Sequence, residues 1–285
     1  EIMNIWTKKS FNLYNSIDYL DKLHDIYPMN KNQPRKLNPT TKEKITEYFN
    51  KKKDEELFKI LINLEKFPIK DSYKAFFTNV PKKERNKIIE MNPKTIRRIC
   101  QRIYQLGYNK MIEGIEEPIE TNRQIGPMFE NWINNQYPFY TDVLDFVNSI
   151  EHITSLKGSD DSLIKFAKEY LKLTLPTGRG GAEKGLDMII KINTKPVQTY
   201  VIGEAKFITD NGGHQMSQLR DALDLITSDT FKNNGNFNVY RIAILDGICW
   251  IKSKNTKMQQ QIRGLNDDEI ALSALLLDSF FKSLK

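Results

Sequence analysis

Two apolar segments in the middle of the chain constrain its fold most strongly, because both predict buried β-strands. The first runs over about residues 186–192 and the second over about residues 199–207. A short turn at Asn193-Thr194-Lys195-Pro196 separates them, so the two strands are expected to be neighbours in one sheet. A loop with the pair Gly212-Gly213, a helix and another apolar strand follow, which predicts a sheet with helices packed against it.

The residues at the ends of these strands carry the chemistry. Asp187 stands at the start of the first strand, and the second ends in Gly203-Glu204-Ala205-Lys206. Because side chains alternate across a strand, Glu204 and Lys206 point to one face and Ala205 to the other. If the strands are adjacent, Asp187 lies beside Glu204. Two carboxylates can hold a hard cation such as Mg²⁺, and a nearby lysine can orient a metal-activated water, which suits the cutting of a phosphodiester.

The surroundings of Glu204 favour a reactive site. Gly203 and Ala205 are small, which leaves room for a metal ion and a phosphate. The strands are apolar, so charged groups on them need a partner such as a cation. The alternative is a structural Asp187 and a surface ion pair between Glu204 and Lys206 on an edge strand.

These motifs resemble the PD-(D/E)xK nuclease superfamily, and most closely the type II restriction endonucleases with an E-A-K catalytic strand. The resemblance covers about residues 124–253 and rests on the runs GLDMII, VIGEAKF, GGHQMSQLRDAL and YRIAILDG. It implies that Asp187 and Glu204 bind Mg²⁺ and that the Ala205 carbonyl completes the protein ligands. It also implies that Lys206 orients or activates the attacking water.

The same resemblance implies an activity: Mg²⁺-dependent, sequence-specific hydrolysis of double-stranded DNA that leaves 5′-phosphate ends. It implies a homodimer, because a palindromic site mirrors a two-fold protein, and a location in a prokaryotic cytoplasm. No proline precedes Asp187, where the superfamily motif has one, and this departure keeps Glu183 open as the first acid. Two alternatives stay open: a DNA repair or recombination nuclease on the same core, and a non-catalytic helix–turn–helix DNA-binding protein.

The periodicity of the remaining chain predicts an α/β protein with a mixed central β-sheet flanked by helices and an N-terminal helical region. Residues 1–115 are expected to form a helical, basic region for DNA binding or dimerisation, and residues 116–285 the catalytic α/β domain. An acidic linker is expected over 110–123. The other predicted elements are helices at 9–26, 40–49, 55–64, 71–77, 81–90, 94–106, 125–132, 142–149, 161–173, 215–226, 257–262 and 267–284, and strands at 239–245 and 248–252.

The N-terminal part carries the surplus of positive charge. Residues 30–110 contain 21 Lys/Arg and 9 Asp/Glu, whereas the rest of the chain contains 22 and 27. Such asymmetry suggests an acidic partner, and nucleic acid is the commonest one. The alternative is a lysine-rich solvated surface without a specific partner.

Two consecutive helices in this basic part, 81–90 and 93–106, resemble a helix–turn–helix. Arg98 and Arg102 are four residues apart, so they share a face of the second helix and are candidate DNA contacts. The alternative is an amphipathic surface helix with its basic residues turned to water.

Further candidates surround the strands. Glu130, on the helix that enters the second region, is a candidate third carboxylate, with a surface glutamate as the alternative. Arginine and lysine pair with guanine, and asparagine and glutamine with adenine, in the major groove. The candidate DNA-binding residues on this basis, together with the adjoining His214, are Arg179, Lys184, Asn211, Gln215, Gln218 and Arg220; the alternative is that the Gly-Gly loop and its polar neighbours only form a turn and cap a helix.

Cysteine and histidine usage argues against other classes of site. The cysteines, Cys100 and Cys249, are far apart, which excludes a disulfide framework and predicts a reducing compartment. The three histidines are scattered, so no zinc-binding spacing exists. Neither a secretory signal nor an apolar run long enough to span a bilayer is predicted.

Overall fold

The computed structural model describes residues 3–28, 34–118, 125–177, 183, 185–251 and 257–284. The chain forms two compact units, which are described separately. The sheet unit comprises Glu1–Asn30 and Thr121–Lys285, and the helical unit comprises Lys31–Glu120.

A mixed six-stranded sheet organises the sheet unit, in agreement with the predicted fold class. Its strands are β1 (Phe139–Tyr140), β2 (Ile153–Leu156), β4 (Met188–Ile192), β5 (Thr199–Ile208), β7 (Asn238–Gly247) and β8 (Ile270–Leu272), and a separate two-stranded sheet joins β3 (Leu173–Thr174) to β6 (Lys232–Asn233). The order is β1-β2-β4-β5-β7-β8. Strand β4 runs antiparallel to β2 and β5, whereas the pairs β1–β2, β5–β7 and β7–β8 are parallel.

In the sheet unit, helices pack on both sides of the sheet. Other helices make up the helical unit. Those of the sheet unit are α1 (Ile5–Leu13), α2 (Tyr19–Ile26), α9 (Ile125–Gln136), α10 (Val143–Asn148), α11 (Asp160–Glu169), α12 (Gly213–Thr227), α13 (Lys257–Arg263) and α14 (Leu277–Ser283). Those of the helical unit are α3 (Pro39–Asn50), α4 (Asp54–Leu61), α5 (Lys74–Thr78), α6 (Lys82–Met91), α7 (Pro93–Leu106) and α8 (Tyr108–Glu116).

The strands β4 and β5 lie in the interior, which explains their nearly continuous apolar sequence. All five residues of β4 are buried, including Lys191 at 1% exposure. The ammonium of Lys191 donates to the carbonyls of Val147 and Ser149 at 2.8 Å each, at the C-terminal end of α10. The negative end of the helix dipole and these two acceptors satisfy a charge that would otherwise be costly to bury.

The N-terminal residues differ from the prediction in two ways. The single helix expected over residues 9–26 is two helices, because Asp18 adopts a left-handed conformation (φ 62°) before α2. Residues 1–30 also belong to the sheet unit instead of to a helical region that spans 1–115. The hydroxyl of Thr7 donates to the Ala271 carbonyl at 2.8 Å, so α1 is fixed to β8.

The prediction of a linker over 110–123 is wrong for the first half of that segment. Residues 108–116 form α8, in which Met111, Ile112 and Ile115 are buried in the core of the helical unit. These apolar residues recur at helical spacing, and their burial outweighs the acidic, irregular character of the segment.

The C-terminal region also differs from the prediction. Asp246 is not in a turn but in β7, and the expected strand at 248–252 is a 3₁₀ turn at Ile248–Trp250. The indole of Trp250 donates to the Leu245 carbonyl at 2.7 Å, which folds the chain back on the strand it has just left. The helix expected over 267–284 begins only at Leu277, because residues 270–272 form β8 beside β7.

Among the described residues, no helix has both the length and the apolar character needed to cross a membrane.

Candidate active site

The register of β4 and β5 brings the two acids of the central motif together. Met188 pairs with Gly203, and the Asp187 amide donates to the Gly203 carbonyl at 2.9 Å. In an antiparallel pair the next position of one strand faces the preceding position of the other, so Asp187 lies opposite Glu204. The pairing that was expected from the sequence is therefore confirmed.

Lys206 joins the two acids. Its Nζ lies 2.8 Å from Glu204 Oε1 and 3.7 Å from Asp187 Oδ2. The Ala205 amide donates to Asp187 Oδ2 at 2.7 Å, which fixes the orientation of that carboxylate. Glu204 and Lys206 share one face of β5, as strand alternation predicts.

The site is only partly open to solvent, and this strengthens its electrostatics. The side chain of Glu204 is 8% exposed, and those of Asp187 and Lys206 are 23% and 24% exposed. Burial lowers the pKa of Lys206, but the charges of Asp187 and Glu204 outweigh that effect, so the pKa of Lys206 is raised above its ordinary value. Lys206 is therefore an ammonium at neutral pH.

The donor set fits a hard divalent cation. Asp187 and Glu204 supply carboxylate oxygens from adjacent strands, and Mg²⁺ is commonly held by one or two carboxylates together with substrate phosphate. Gly126 faces Asp187, and a Cβ at that position would lie 4.0 Å from Asp187 Oδ1, so no side chain fills the space there. Among the described residues, no group of three acidic, histidine or cysteine side chains has metal-binding geometry.

The other two acids that the sequence offered have different environments. Glu183, the competing first acid, forms an ion pair with Lys168 at 2.7 Å. Glu130 is half-buried on α9, four residues after Gly126. Residues four apart share a helix face, which directs Glu130 to the same side as Gly126. It does not form a three-ligand group with Asp187 and Glu204 within the part of the chain that the structure describes.

Two further acids interact with the site and were not identified from the sequence. Burial and the negative charge of Asp187 raise the pKa of Asp160, while Lys206 opposes this shift. Asp221, on α12, interacts electrostatically with Lys206 and helps to raise its pKa. In the sequence, Asp160 has the signature of a helix start and Asp221 that of a surface position. No local signal therefore distinguishes these two acids from ordinary structural residues.

The helix α12 begins shortly after β5, and the candidate DNA-binding residues on it and just before it have different environments. Asn211, His214 and Arg220 are exposed. His214 Nε2 lies 3.3 Å from Gln218 Nε2. Gln215 is only 2% exposed, and its Oε1 accepts from the Thr209 amide at 3.3 Å. This places Gln215 inside the unit, where it supports the loop and is not available to a base. Arg179 and Lys184 lie outside the described residues.

In the helical unit, Arg98 and Arg102 are bound to Asp71. Arg98 donates to both carboxylate oxygens of Asp71 at 2.8 and 3.2 Å, and Arg102 donates to Oδ2 at 2.5 Å. The hydrogen bonds from Arg98 hold the pKa of Asp71 at about 2, well below its usual range. A single residue, Asn92, separates α6 from α7, which is shorter than the turn of a standard helix–turn–helix.

A family model described as Tsp45I type II restriction enzyme matches residues 4–284. Neither a curated protein nor a solved structure matches the chain.

Proposed function

We propose, because this chain belongs to the Tsp45I type II restriction enzyme family, that Asp187, Glu204 and Lys206 form its active site. Family membership makes the protein a type II site-specific deoxyribonuclease. The proposal adds Mg²⁺ dependence, products with 5′-phosphate ends, and the residues that carry the reaction. The observation behind it is the convergence of the three side chains at the start of β4, with Lys206 Nζ 2.8 and 3.7 Å from the two acids.

Asp187 and Glu204 would hold Mg²⁺, with the Ala205 carbonyl as a further ligand. The peptide groups of alternate residues in a strand point to the same neighbour, so the Ala205 carbonyl faces the same side as the Gly203 carbonyl, which accepts from Asp187. When bound, the ion would polarise the scissile phosphate and make a bound water more acidic.

Lys206 acts by donating hydrogen bonds. In the absence of a bound metal, the charges of Asp187 and Glu204 raise the pKa of Lys206 and keep Nζ protonated. Lys206 can orient the attacking water and stabilise the negative charge that develops on the phosphate oxygens. Attack on phosphorus with departure of the 3′-oxygen leaves a 3′-hydroxyl and a 5′-phosphate.

We also propose a homodimer in a prokaryotic cytoplasm, with a contribution of the helical unit to DNA binding or dimerisation. A palindromic site presents the same sequence on both strands, and a two-fold dimer places one active site on each. The basic excess of residues 30–110 supports contact with a polyanion. Asn211, His214, Gln218 and Arg220, with Arg179 and Lys184, are the proposed contacts near the cut.

Digestion of a sequenced plasmid, followed by mapping of the ends, tests the function. We expect discrete fragments with 5′-phosphate ends in Mg²⁺ and no cleavage in EDTA. Glu204→Gln and Lys206→Ala should abolish cutting while DNA binding survives, whereas Lys282→Ala, which breaks an exposed pair with Asp278, should cut normally. A smear that starts from free ends would indicate the repair or recombination class. Binding without cleavage in any divalent metal would indicate the non-catalytic class.

A further inference from the structure

The helix α7 has a wide polar face that is exposed to solvent. Its apolar side is fixed, because Ile96, Ile99 and Ile103 are almost fully buried. The Tyr104 hydroxyl donates to Asp54 Oδ1 at 2.8 Å, which ties α7 to α4. The exposed residues are Lys94, Arg97, Arg98, Gln101, Arg102 and Gln105.

One flank of this face has a structural role. Arg98 and Arg102 converge on Asp71, whose side chain is only 3% exposed. The guanidinium of Arg98 also lies 5.1 Å from the centre of the Tyr73 ring. These two arginines therefore hold the segment before α5 against α7, and each donates two hydrogen bonds to it.

The other residues of this face have free side chains. Among the described residues, none forms a hydrogen bond or an ion pair with the side chain of Lys94, Arg97, Gln101 or Gln105. At about 100° per residue, Lys94, Gln101 and Gln105 lie within roughly 30° of the centre of the exposed side, and Arg97 lies on the flank away from Arg102. These four residues are called the open face of α7.

We propose that the open face of α7 enters the major groove of duplex DNA and determines part of the recognition sequence. Arginine donates two hydrogen bonds to guanine, and glutamine pairs in the same bidentate way with adenine. Arg97 and Gln101 are four residues apart and lie in the first two-thirds of the helix, where recognition helices contact base edges. Lys94 and Gln105 lie at the ends of the face, within reach of phosphate.

Charge and rigidity both favour this partner. The surrounding segment, residues 30–110, carries 21 basic and 9 acidic residues, which complements a polyanion. The buried side of α7 holds the helix in one position, and a rigid element places side chains on base edges more reproducibly than a loop. The inference rests on the proposed function and deepens it, because it names residues that would determine which DNA sequence is recognised.

Selection from a pool of randomised duplexes tests the inference. The full-length chain with Lys206→Ala is used as the non-cleaving background in Mg²⁺, alone and with Arg97→Ala or Gln101→Ala added. We expect each added variant to lose the preference for one base pair. Affinity for the selected site should fall about tenfold to a hundredfold, with a much smaller fall on a scrambled duplex. Lys110→Ala and Asn109→Ala, exposed on α8, are the matched controls and should keep the preference.

The outcomes separate this inference from the proposed function. An unchanged selected sequence in both variants, or an equal loss of affinity on selected and scrambled duplexes, would overturn the role of the open face. Site-specific cutting by the unaltered chain would then still support the proposed function. A background chain that selects no sequence, together with an unaltered chain that does not cut, would overturn both. Circular dichroism establishes that the exposed substitutions leave the fold intact.

Discussion

Glu204 Oε1 and Lys206 Nζ lie 2.8 Å apart on one face of β5, at the point where β4 begins. The pair is nearly enclosed, so each charge depends on the other for stabilisation. Asp187 approaches the same ammonium from β4 at 3.7 Å. Two carboxylates thus face one lysine ammonium. The excess negative charge is available to a cation.

Removal of the Glu204 charge should lower the pKa of Lys206. The pKa of Lys206 is raised in the folded state. Lys206 therefore stabilises the folded protein fully below the ordinary pKa of lysine, and this stabilisation is lost only as pH rises through the pKa of the folded state. In Glu204→Gln the effect of burial remains while much of the opposing charge is lost. An NMR titration of the lysine side chains would measure the fall. A pKa of Lys206 that does not change would contradict the assigned coupling.

Asp187→Asn should weaken binding of Mg²⁺ or Mn²⁺ by at least about tenfold, since loss of even an outer-shell partner costs that much in metal affinity. The asparagine can still accept from the Ala205 amide, so the local backbone should persist. Isothermal titration of the full chain measures the loss. Glu183→Gln is the control, because Glu183 is paired with Lys168 instead. A larger effect at Glu183 than at Asp187 would reverse the assignment of the first acid.

The stability of the protein should depend on the ionisation of Asp246. Complete burial raises the pKa of Asp246 to about 7, although hydrogen bonds from Ser273, the Ala274 amide and Tyr27 oppose the shift. The folded state therefore holds this proton more tightly than the unfolded chain, where the pKa is about 3.9. The free energy of unfolding should consequently fall as pH rises from about 4 to about 7, by roughly 4 kcal/mol from this group.

Urea unfolding at several pH values, for the natural chain and for Asp246→Asn, isolates this contribution. The asparagine has a similar shape and no charge, so the difference in unfolding free energy between the two chains should shrink or reverse toward pH 8. A difference that does not vary with pH would show that Asp246 has the same protonation state in both the folded and the unfolded chain.

Gly247→Ala should destabilise the protein strongly. Gly247 has φ 95°, and a Cβ there would lie 2.1 Å from the Ile208 carbonyl oxygen of the neighbouring strand. Left-handed strain and overpacking against backbone together cost about 2–4 kcal/mol. Gly213→Ala is the matched control, because nothing lies within 4 Å of its Cβ position and alanine favours the helix it begins. Thermal unfolding should show a lower midpoint for the first variant and no loss for the second.

The pairing of β4 with β5 could be predicted because the signal is local. Apolar strands, a short turn and the alternation of side chains were enough to place Glu204, Lys206 and Asp187 together. Asp160 could not be found in this way, since it reaches the site from the start of α11. Its sequence context, Ser159 followed by two aspartates, is equally well explained by helix capping.

The wrong predictions for residues 246–284 also arose because they depend on contacts between residues distant in the sequence. Asp246-Gly247 has the composition of a tight turn, and only the tertiary partners Ser273 and Tyr27 make a buried aspartate tolerable inside a strand. The strand β8 has only three residues, and it is a strand because it pairs with β7. Its own sequence therefore gives little indication of a strand. Arg98 and Arg102 are a similar case, because the sequence does not reveal their contact with Asp71 across 27 and 31 residues.

The hydrogen bond from Thr7 to Ala271 joins residues 264 positions apart. Residues 31–120 form their own unit between them, so the sheet unit is interrupted in the sequence. A ribosome releases the chain from the N-terminus onward, and α1 must wait for β8 before it can dock. The sheet unit therefore closes only after β8 has been synthesised, which delays any DNA-cutting competence until that point.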